Sequence, residues 1–255
     1  MQQSGKHPKP VVLCGGEGSR LRPLTYYFQK SMIPIGPEQR PLLEYILRHI
    51  RSHGFQEAVL LVGYKGEQIV NYFGDGERFG LRLSYVWDVE GAKGTYASLH
   101  HALVENAFTK SDTLLIYYGD ILTNLDLSGL VTKHVNEGFA ATLALSPKYQ
   151  LPVGVAEVDD GLVVKMREKP SIDINVTIGI LALEARYLDM DGKFTDIMSD
   201  LIPVLVEHGE RVGAYISDTF WYDVGSTERY EKLTNEIIDK HLSTILEKHG
   251  GAKPV

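Results

Sequence analysis

The stretch Gly15-Gly16-Glu17-Gly18-Ser19-Arg20-Leu21-Arg22 sets three glycines and two arginines directly after the apolar run Val11-Val12-Leu13-Cys14. Gly15, Gly16 and Gly18 let the backbone turn tightly and approach a ligand, and the bare amides of such a loop, Ser19 included, can cradle phosphate oxygens. Arg20 follows at once, and a guanidinium is planar, permanently charged and bidentate toward phosphate. The combination points to a nucleotide or a sugar phosphate. Neither GxxxxGK[ST] nor GxGxxG opening a helix is present, and Pro23 argues against a helix continuing from the loop. Two carboxylates also stand at strand ends, Asp120 after Tyr117-Tyr118-Gly119 and Asp223 within Trp221-Tyr222-Asp223-Val224-Gly225-Ser226. Together they could share one Mg²⁺, a hard cation that takes carboxylates plus substrate phosphates. Taken singly, each also fits an N-cap or turn aspartate.

The elements that must hold these residues follow from periodicity. Pro41 to His53 carries Leu42, Leu43, Tyr45, Ile46, Leu47 and Ile50 on a helical face, with proline near its start and Gly54 at its end. Strands are expected at 58–62, 81–87 and 113–118, with helices at 66–73 and 97–106 between them. This βαβ pattern implies an α/β fold with a Rossmann-like, mostly parallel sheet flanked by helices. Ligands of such sheets sit beyond the carboxyl ends of the strands, where the glycine loop and Asp120 fall. From Phe139 onward the texture is β-rich, with short runs at 140–145, 153–158, 162–166 and 176–183. A helix is expected at 197–208, and strands at 212–216 and 220–222. The last run, Ser226 to His249, has Tyr230, Leu233, Ile237, His241 and Ile245 at helical spacing. It is expected to dock on its own domain, with His241 packed and the tail 250–255 frayed.

At 255 residues, 44% hydrophobic and 23% charged, the chain suits one large α/β domain with an integrated second lobe. Its net charge of −7 argues against a nucleic-acid partner bound through general basicity, so a phosphate site must be a local basic pocket. Cys14, the single cysteine, excludes an intramolecular disulfide and reads as a packing residue. No apolar run approaches the length of a membrane helix and the amino terminus has no apolar core, so a cytoplasmic protein without membrane contact is expected.

The loop continues into Lys30-Ser31-Met32-Ile33-Pro34, and GGEGSRLRPLT followed by KSMIP resembles the signature of the sugar-1-phosphate nucleotidylyltransferases, the NDP-sugar pyrophosphorylases. The likeness keeps order and spacing from Val11 to Tyr230. It implies that Asp120 and Asp223, in YGD and WYDVGS, hold the metal. It implies that Glu168 of Glu168-Lys169-Pro170 binds sugar hydroxyls and Lys169 the sugar phosphate, although an isolated EKP would read as an exposed turn. Gly154 resembles the glycine that approaches the sugar ring, and Gly94-Thr95 the segment beside the nucleoside. Departures are visible too: Ser31 where proline is common, Tyr96 where alanine is usual, and Lys93 where leucine is usual. Thr177-Ile178-Gly179-Ile180 lacks the asparagine often found two residues before the glycine, Asn175 being displaced. Asp88, Val89 and Glu90 occupy the region of a base-reading glutamine.

The implied reaction transfers a nucleotidyl group from a nucleoside triphosphate to a sugar 1-phosphate, with Arg20, Lys30 and Lys169 as the cationic machinery and Mg²⁺ as cofactor. Mannose 1-phosphate with GTP is the first expectation for the substrates, and glucose 1-phosphate with dTTP or UTP the alternative. A non-catalytic nucleotide or NDP-sugar sensor needs the loop but not both carboxylates. A sugar transferase typically carries DxD after such a strand, whereas Ile121 and Leu122 follow Asp120, and Asp189-Met190-Asp191 sits in an expected surface turn. One domain is expected, divided into a nucleotide-binding part 9–138, a sugar-phosphate-binding part 139–225 and a helical segment 226–249. With only a helix and a tail after Ser226, hexapeptide repeats and trimerisation through them are not expected. A homodimer through any uncovered part of the helical stripe is.

Overall fold

The computed structural model describes residues 8–89 and 94–247. Glu90, Lys93 and the tail 250–255, for which expectations are given above, lie outside the described residues. The first half alternates strands and helices in the expected order: β1 Lys9–Cys14, α1 Leu42–Ser52, β2 Glu57–Val62, α2 Gly66–Phe73, β3 Arg82–Trp87, α3 Thr95–Val104 and β4 Thr113–Tyr118. A three-residue strand, β5 Ile121–Thr123, and α4 Leu127–Glu137 follow. The second half contributes β6 Ala141–Ser146, the hairpin β7 Val155–Asp159 and β8 Leu162–Arg167, and the long β9 Val176–Glu184. It continues with α5 Ile202–Glu207, β10 Val212–Ile216, β11 Trp221–Asp223, α6 Thr227–Lys232 and α7 Asn235–Glu247.

Seven strands form one sheet in the order β10-β6-β9-β4-β1-β2-β3. β1 runs parallel to β2 and β4, β2 to β3, and β10 to β6. β9 alone is antiparallel to both its neighbours, β4 and β6, so the sheet is mostly parallel with one reversed strand. Side chains of successive strand residues enter opposite layers. Leu115 and Tyr117 of β4 pack with α1 and α7 on one face, and Leu114 and Ile116 pack with α3 and the 185–205 segment on the other. Both faces are covered, which is why β1, β2 and β4 read as unbroken apolar runs.

Two expected helices differ from the periodicity. The 197–208 run opens as a wide π-type turn at Ile197–Leu201 before α5 begins, because Pro203 in the first turn of α5 has no N–H to continue the regular ladder. The last run is two helices, not one. Leu233 leaves helical geometry (φ −81°, ψ 84°) and turns into the core between α6 and α7. That break rotates the buried stripe onto Leu233, Ile238, Leu242 and Ile245, with Ile237 and Tyr230 only partly covered. His241 stacks on Phe220 at 4.3 Å, a packed histidine as expected. Among the described residues no helix is long and apolar enough to cross a membrane.

His49 links α1 to the segment that follows β5. Its Nε2–H donates to the Leu125 carbonyl at 2.9 Å, and its Nδ1 lies 3.4 Å from the Tyr117 hydroxyl. Burial, with the neighbouring His53 adding to it, holds the imidazole far below its usual range, at about 3. The unfolded residue protonates near ~6.5, so between those values proton uptake favours the unfolded chain. Stability carried by the neutral ring is full above that upper value and is lost progressively as pH falls toward 3. Urea titrations across this window are expected to show His49→Gln, which keeps a donor but does not titrate, losing stability less steeply than wild type by up to about 1.4 kcal/mol per pH unit.

Candidate active site

The carboxyl ends of β1 and β4 open into a cleft of about 760 Å³ lined by, among others, Gly15, Gly16, Lys30, Gly94, Thr95 and Asp120. β4 ends against β1 because Gly119 donates its N–H to the Leu13 carbonyl at 3.0 Å. No side chain fits there, since a Cβ on Gly119 would lie 2.6 Å from that same oxygen and 2.8 Å from Ser31 Oγ. Asp120 is therefore delivered to the cleft by a glycine that lets two strands touch. Lys30 meets it, its ammonium paired with Asp120 Oδ2.

Asp223 arrives from the other end of the chain. β11 pairs antiparallel with β5, setting Asp223 opposite Ile121, and the Val224 N–H donates to the Asp120 carbonyl at 2.9 Å. Burial raises the Asp223 carboxyl above its usual range and the neighbouring Asp120 charge adds to the rise, while Arg229, Lys30 and Arg20 oppose it. Arg229 lies 3.7 Å from Asp223 Oδ2. Asp223 Oδ1 is buried with no hydrogen-bond partner. An orphaned anionic oxygen beside a second carboxylate fits a hard divalent cation. Among the described residues no group of three or more His, Cys, Asp or Glu side chains is arranged for a metal, so the protein would supply two carboxylates and leave the other positions to water or phosphate.

Gly18 is left-handed (φ 63°) at the head of the short turn Ser19–Leu21, beside the cleft. Ser19 and Arg20 are exposed on that turn. The turn is tied down by Thr25, whose hydroxyl donates to the Gly18 carbonyl at 3.0 Å. Gly94 sits at φ 100° ahead of α3, where a Cβ would strike the Thr195 carbonyl at 2.2 Å. Thr95 is clasped by the second half, its hydroxyl donating to Asp196 Oδ2 at 2.8 Å and accepting from the Ile197 N–H at 2.9 Å.

The residues expected to meet the sugar phosphate lie apart from that cleft. Gly154 faces Glu168, whose Oε2 would lie 3.0 Å from a Cβ on the glycine. Lys169 has a left-handed backbone (φ 44°), and its charge reaches Glu228 at the start of α6. Thr177 is exposed two residues before Gly179, which packs on Tyr118 and Ile121. None of these four lines the cleft itself.

Two departures from the family pattern find a physical place. Tyr96 is buried away from the cleft, its hydroxyl donating to the Leu188 carbonyl at 2.9 Å and its ring packed on Phe194. Ser31 is a buried residue of the cleft lining itself, its N–H donating to Gln29 Oε1 at 2.5 Å. Burial pushes the Cys14 thiol beside it up to about 12, which suits packing and not reactivity. Sequence reasoning missed Gln29, Tyr64, Ser98 and Tyr118 in the cleft wall, and Arg229 beside Asp223. Asp88, whose carboxylate lies against Gly15 and Gly63, was visible only as part of a departing loop.

The family model described as "Nucleotidyl transferase" matches residues 9–240. The chain is 31% identical to the UTP-glucose-1-phosphate uridylyltransferase of Synechocystis sp., over 93% of this chain and 65% of that protein. It is 28% identical to the mannose-1-phosphate guanylyltransferase of Mycobacterium tuberculosis, over 89% of this chain and 64% of that protein. It thus spans just under two thirds of the length of these relatives. HddC from Yersinia pseudotuberculosis, solved in complex with GMP-PN, shares the fold with a TM-score of 0.70 at 16% identity, covering 90% of this chain and 99% of that one. A glycine loop, two adjoined carboxylates and a family match running almost from end to end lead to one conclusion: the chain belongs to the nucleotidyl transferase family.

Proposed function

We propose that the chain transfers a nucleotidyl group from a nucleoside triphosphate to a sugar 1-phosphate, giving an NDP-sugar and pyrophosphate. The observation that carries this reading is the meeting of Asp120 and Asp223 beside the glycine-loop cleft, with the charges of Lys30 and Arg20 in reach of them. An anionic phosphate oxygen of the sugar phosphate attacks the α-phosphorus. The bond from that phosphorus to the bridging oxygen breaks, and pyrophosphate leaves with the electron pair. A phosphate monoester with a second pKa near ~6 is already largely dianionic at neutral pH, so no general base is required. Catalysis then rests on aligning two anions and neutralising charge.

Arg20 and Lys30 serve the triphosphate side, and the amides of Gly15, Gly16, Gly18 and Ser19 approach the phosphates, with Gly94 and Thr95 beside the nucleoside. Lys169 holds the incoming phosphate, and Gly154, Glu168 and Thr177 meet the sugar. Asp120 and Asp223 would hold Mg²⁺, which supplies charge neutralisation for the triphosphate and leaving pyrophosphate. The parts 9–138, 139–225 and 226–249 then act as one domain of a cytoplasmic enzyme. Mannose 1-phosphate with GTP is the first substrate pair to test, and a relative named as a guanylyltransferase supports it. Glucose 1-phosphate with UTP or dTTP is the alternative, supported by relatives named for those transfers.

Pyrophosphate release across a panel of triphosphates and hexose 1-phosphates in Mg²⁺ is expected for at least one pair, and total inactivity of folded protein would favour a nucleotide sensor. Asp223→Asn is expected to lower turnover by a factor on the order of 100 or more without unfolding the protein. The same holds for Asp120→Asn. Wild-type activity at ordinary Mg²⁺ in either variant would remove that residue from the metal site.

Lys169→Met is expected to raise KM for the sugar phosphate at least about tenfold and leave nucleotide affinity by calorimetry nearly unchanged. Arg20→Met should do the reverse. Lost nucleotide affinity in Lys169→Met with normal acceptor kinetics would exchange the two roles.

A further inference from the structure

Arg229 is held at its backbone and free at its tip. Its N–H donates to the Ser226 hydroxyl at 3.3 Å, and the Tyr222 hydroxyl donates to its carbonyl at 2.7 Å. The guanidinium lies over the Tyr222 ring, 5.4 Å from the centroid, with Nη1 3.7 Å from Asp223 Oδ2. That contact is an ion pair too long for a hydrogen bond. Among the described residues the N–H donors of this fork find no acceptor. The forks of Arg40 and Arg48, by contrast, are tied to Glu44. The Arg229 side chain is 37% exposed, so a ligand can reach it.

We infer that Arg229 is a further substrate-binding residue, and that its free fork takes the phosphate of the sugar 1-phosphate. The inference rests on the proposed transfer and assigns a residue to the acceptor side of it. Placement favours that phosphate. α6 begins between the two groups of cations: the Thr227 hydroxyl is 3.4 Å from the Arg20 and Arg22 carbonyls, and the charge of Lys169 reaches Glu228. In the proposed reaction an oxygen of the sugar phosphate must approach the α-phosphorus beside Asp120 and Asp223, where a side chain already at Asp223 can meet it.

Charge favours it too. The nucleotide side has Arg20 and Lys30, whereas the acceptor side has Lys169, which stands 4.0 Å from Glu168 in a pair of zero net charge. A dianion brought up to a triphosphate needs more positive charge than that. A guanidinium fork supplies it through two parallel hydrogen bonds to one phosphate. The contact with Asp223 is a weak competitor, because a long, partly exposed ion pair holds its partners loosely.

Arg229→Gln keeps a polar side chain and removes the charge and the fork. It is expected to raise KM for the hexose 1-phosphate at least about tenfold, with KM for the triphosphate within about twofold of wild type. Arg229→Lys, a charge without a fork, is expected to recover part of the loss. Calorimetry of mannose 1-phosphate and glucose 1-phosphate binding to the protein with Mn²⁺ reads the same contact without turnover. Arg229→Gln is expected to weaken the tighter of the two at least about tenfold. Calorimetry of Mn²⁺ alone separates this from a merely structural role: removing a neighbouring positive charge should leave Mn²⁺ affinity equal or higher, whereas a misplaced Asp223 would lower it. Unchanged hexose 1-phosphate KM and affinity in Arg229→Gln, with a wild type that turns over, overturn the inference and leave the reaction standing. So does a rise in the triphosphate KM alone, or weaker Mn²⁺ binding as the sole defect. A wild type that binds a hexose 1-phosphate through Arg229 and releases no pyrophosphate supports the inference and sinks the reaction. One that neither binds nor turns over a hexose 1-phosphate overturns both.

Discussion

Two carboxylates repel one another, and the fold brings them together by backbone pairing that does not depend on their charge. β5 and β11 are three residues each, yet their antiparallel register fixes Asp223 opposite Ile121, and the Val224 N–H to Asp120 carbonyl bond closes the end of the pair. The rest of the site answers to this constraint. Lys30 and Arg229 each take one oxygen of the two groups, while Asp223 Oδ1 stays buried without a donor. An unpaired buried acceptor costs on the order of 1–3 kcal/mol, a cost that a cation bound between the carboxylates would offset. His49 holds the same segment from behind through Leu125, so the core of α1 and the chemistry of the cleft share one short stretch of chain.

How much of this was legible in the sequence depended on the range of the contacts involved. β1, β2 and β4 were legible because burial on both faces leaves a continuous apolar run, a local signal. The glycine loop was legible for the same reason, since close backbone approach demands glycine where it occurs. The adjacency of Asp120 and Asp223 was not, because spacing along the chain carries no register; there the family resemblance did what physical reading could not. Arg229 left no signal beyond a basic residue in a short helix. The final helix misled by one position: periodicity favoured Ile237 and His241, but the break at Leu233 turned Ile238 and Leu242 inward. Tyr96, a departure beside the expected nucleoside segment, proved to be a core residue facing away from the cleft.

β9 has a mechanical consequence. By bonding to β4 on one side and β6 on the other, it carries the ladder of backbone hydrogen bonds without a seam from β10 to β3. A hinge needs a line that few bonds cross, and no such line passes through the sheet between the two halves of the chain. Thr95, clasped by Asp196 and Ile197, pins the halves together a second time. Outside the sheet lie the β7–β8 arm, the strand pair Tyr149–Gln150 with Ser171–Ile172, and the β5–β11 pair that brings in Asp223. The glycine loop and Asp120 therefore follow directly from strands of the seamless sheet, whereas Gly154, Glu168 and Lys169 are carried by chain that lies outside it.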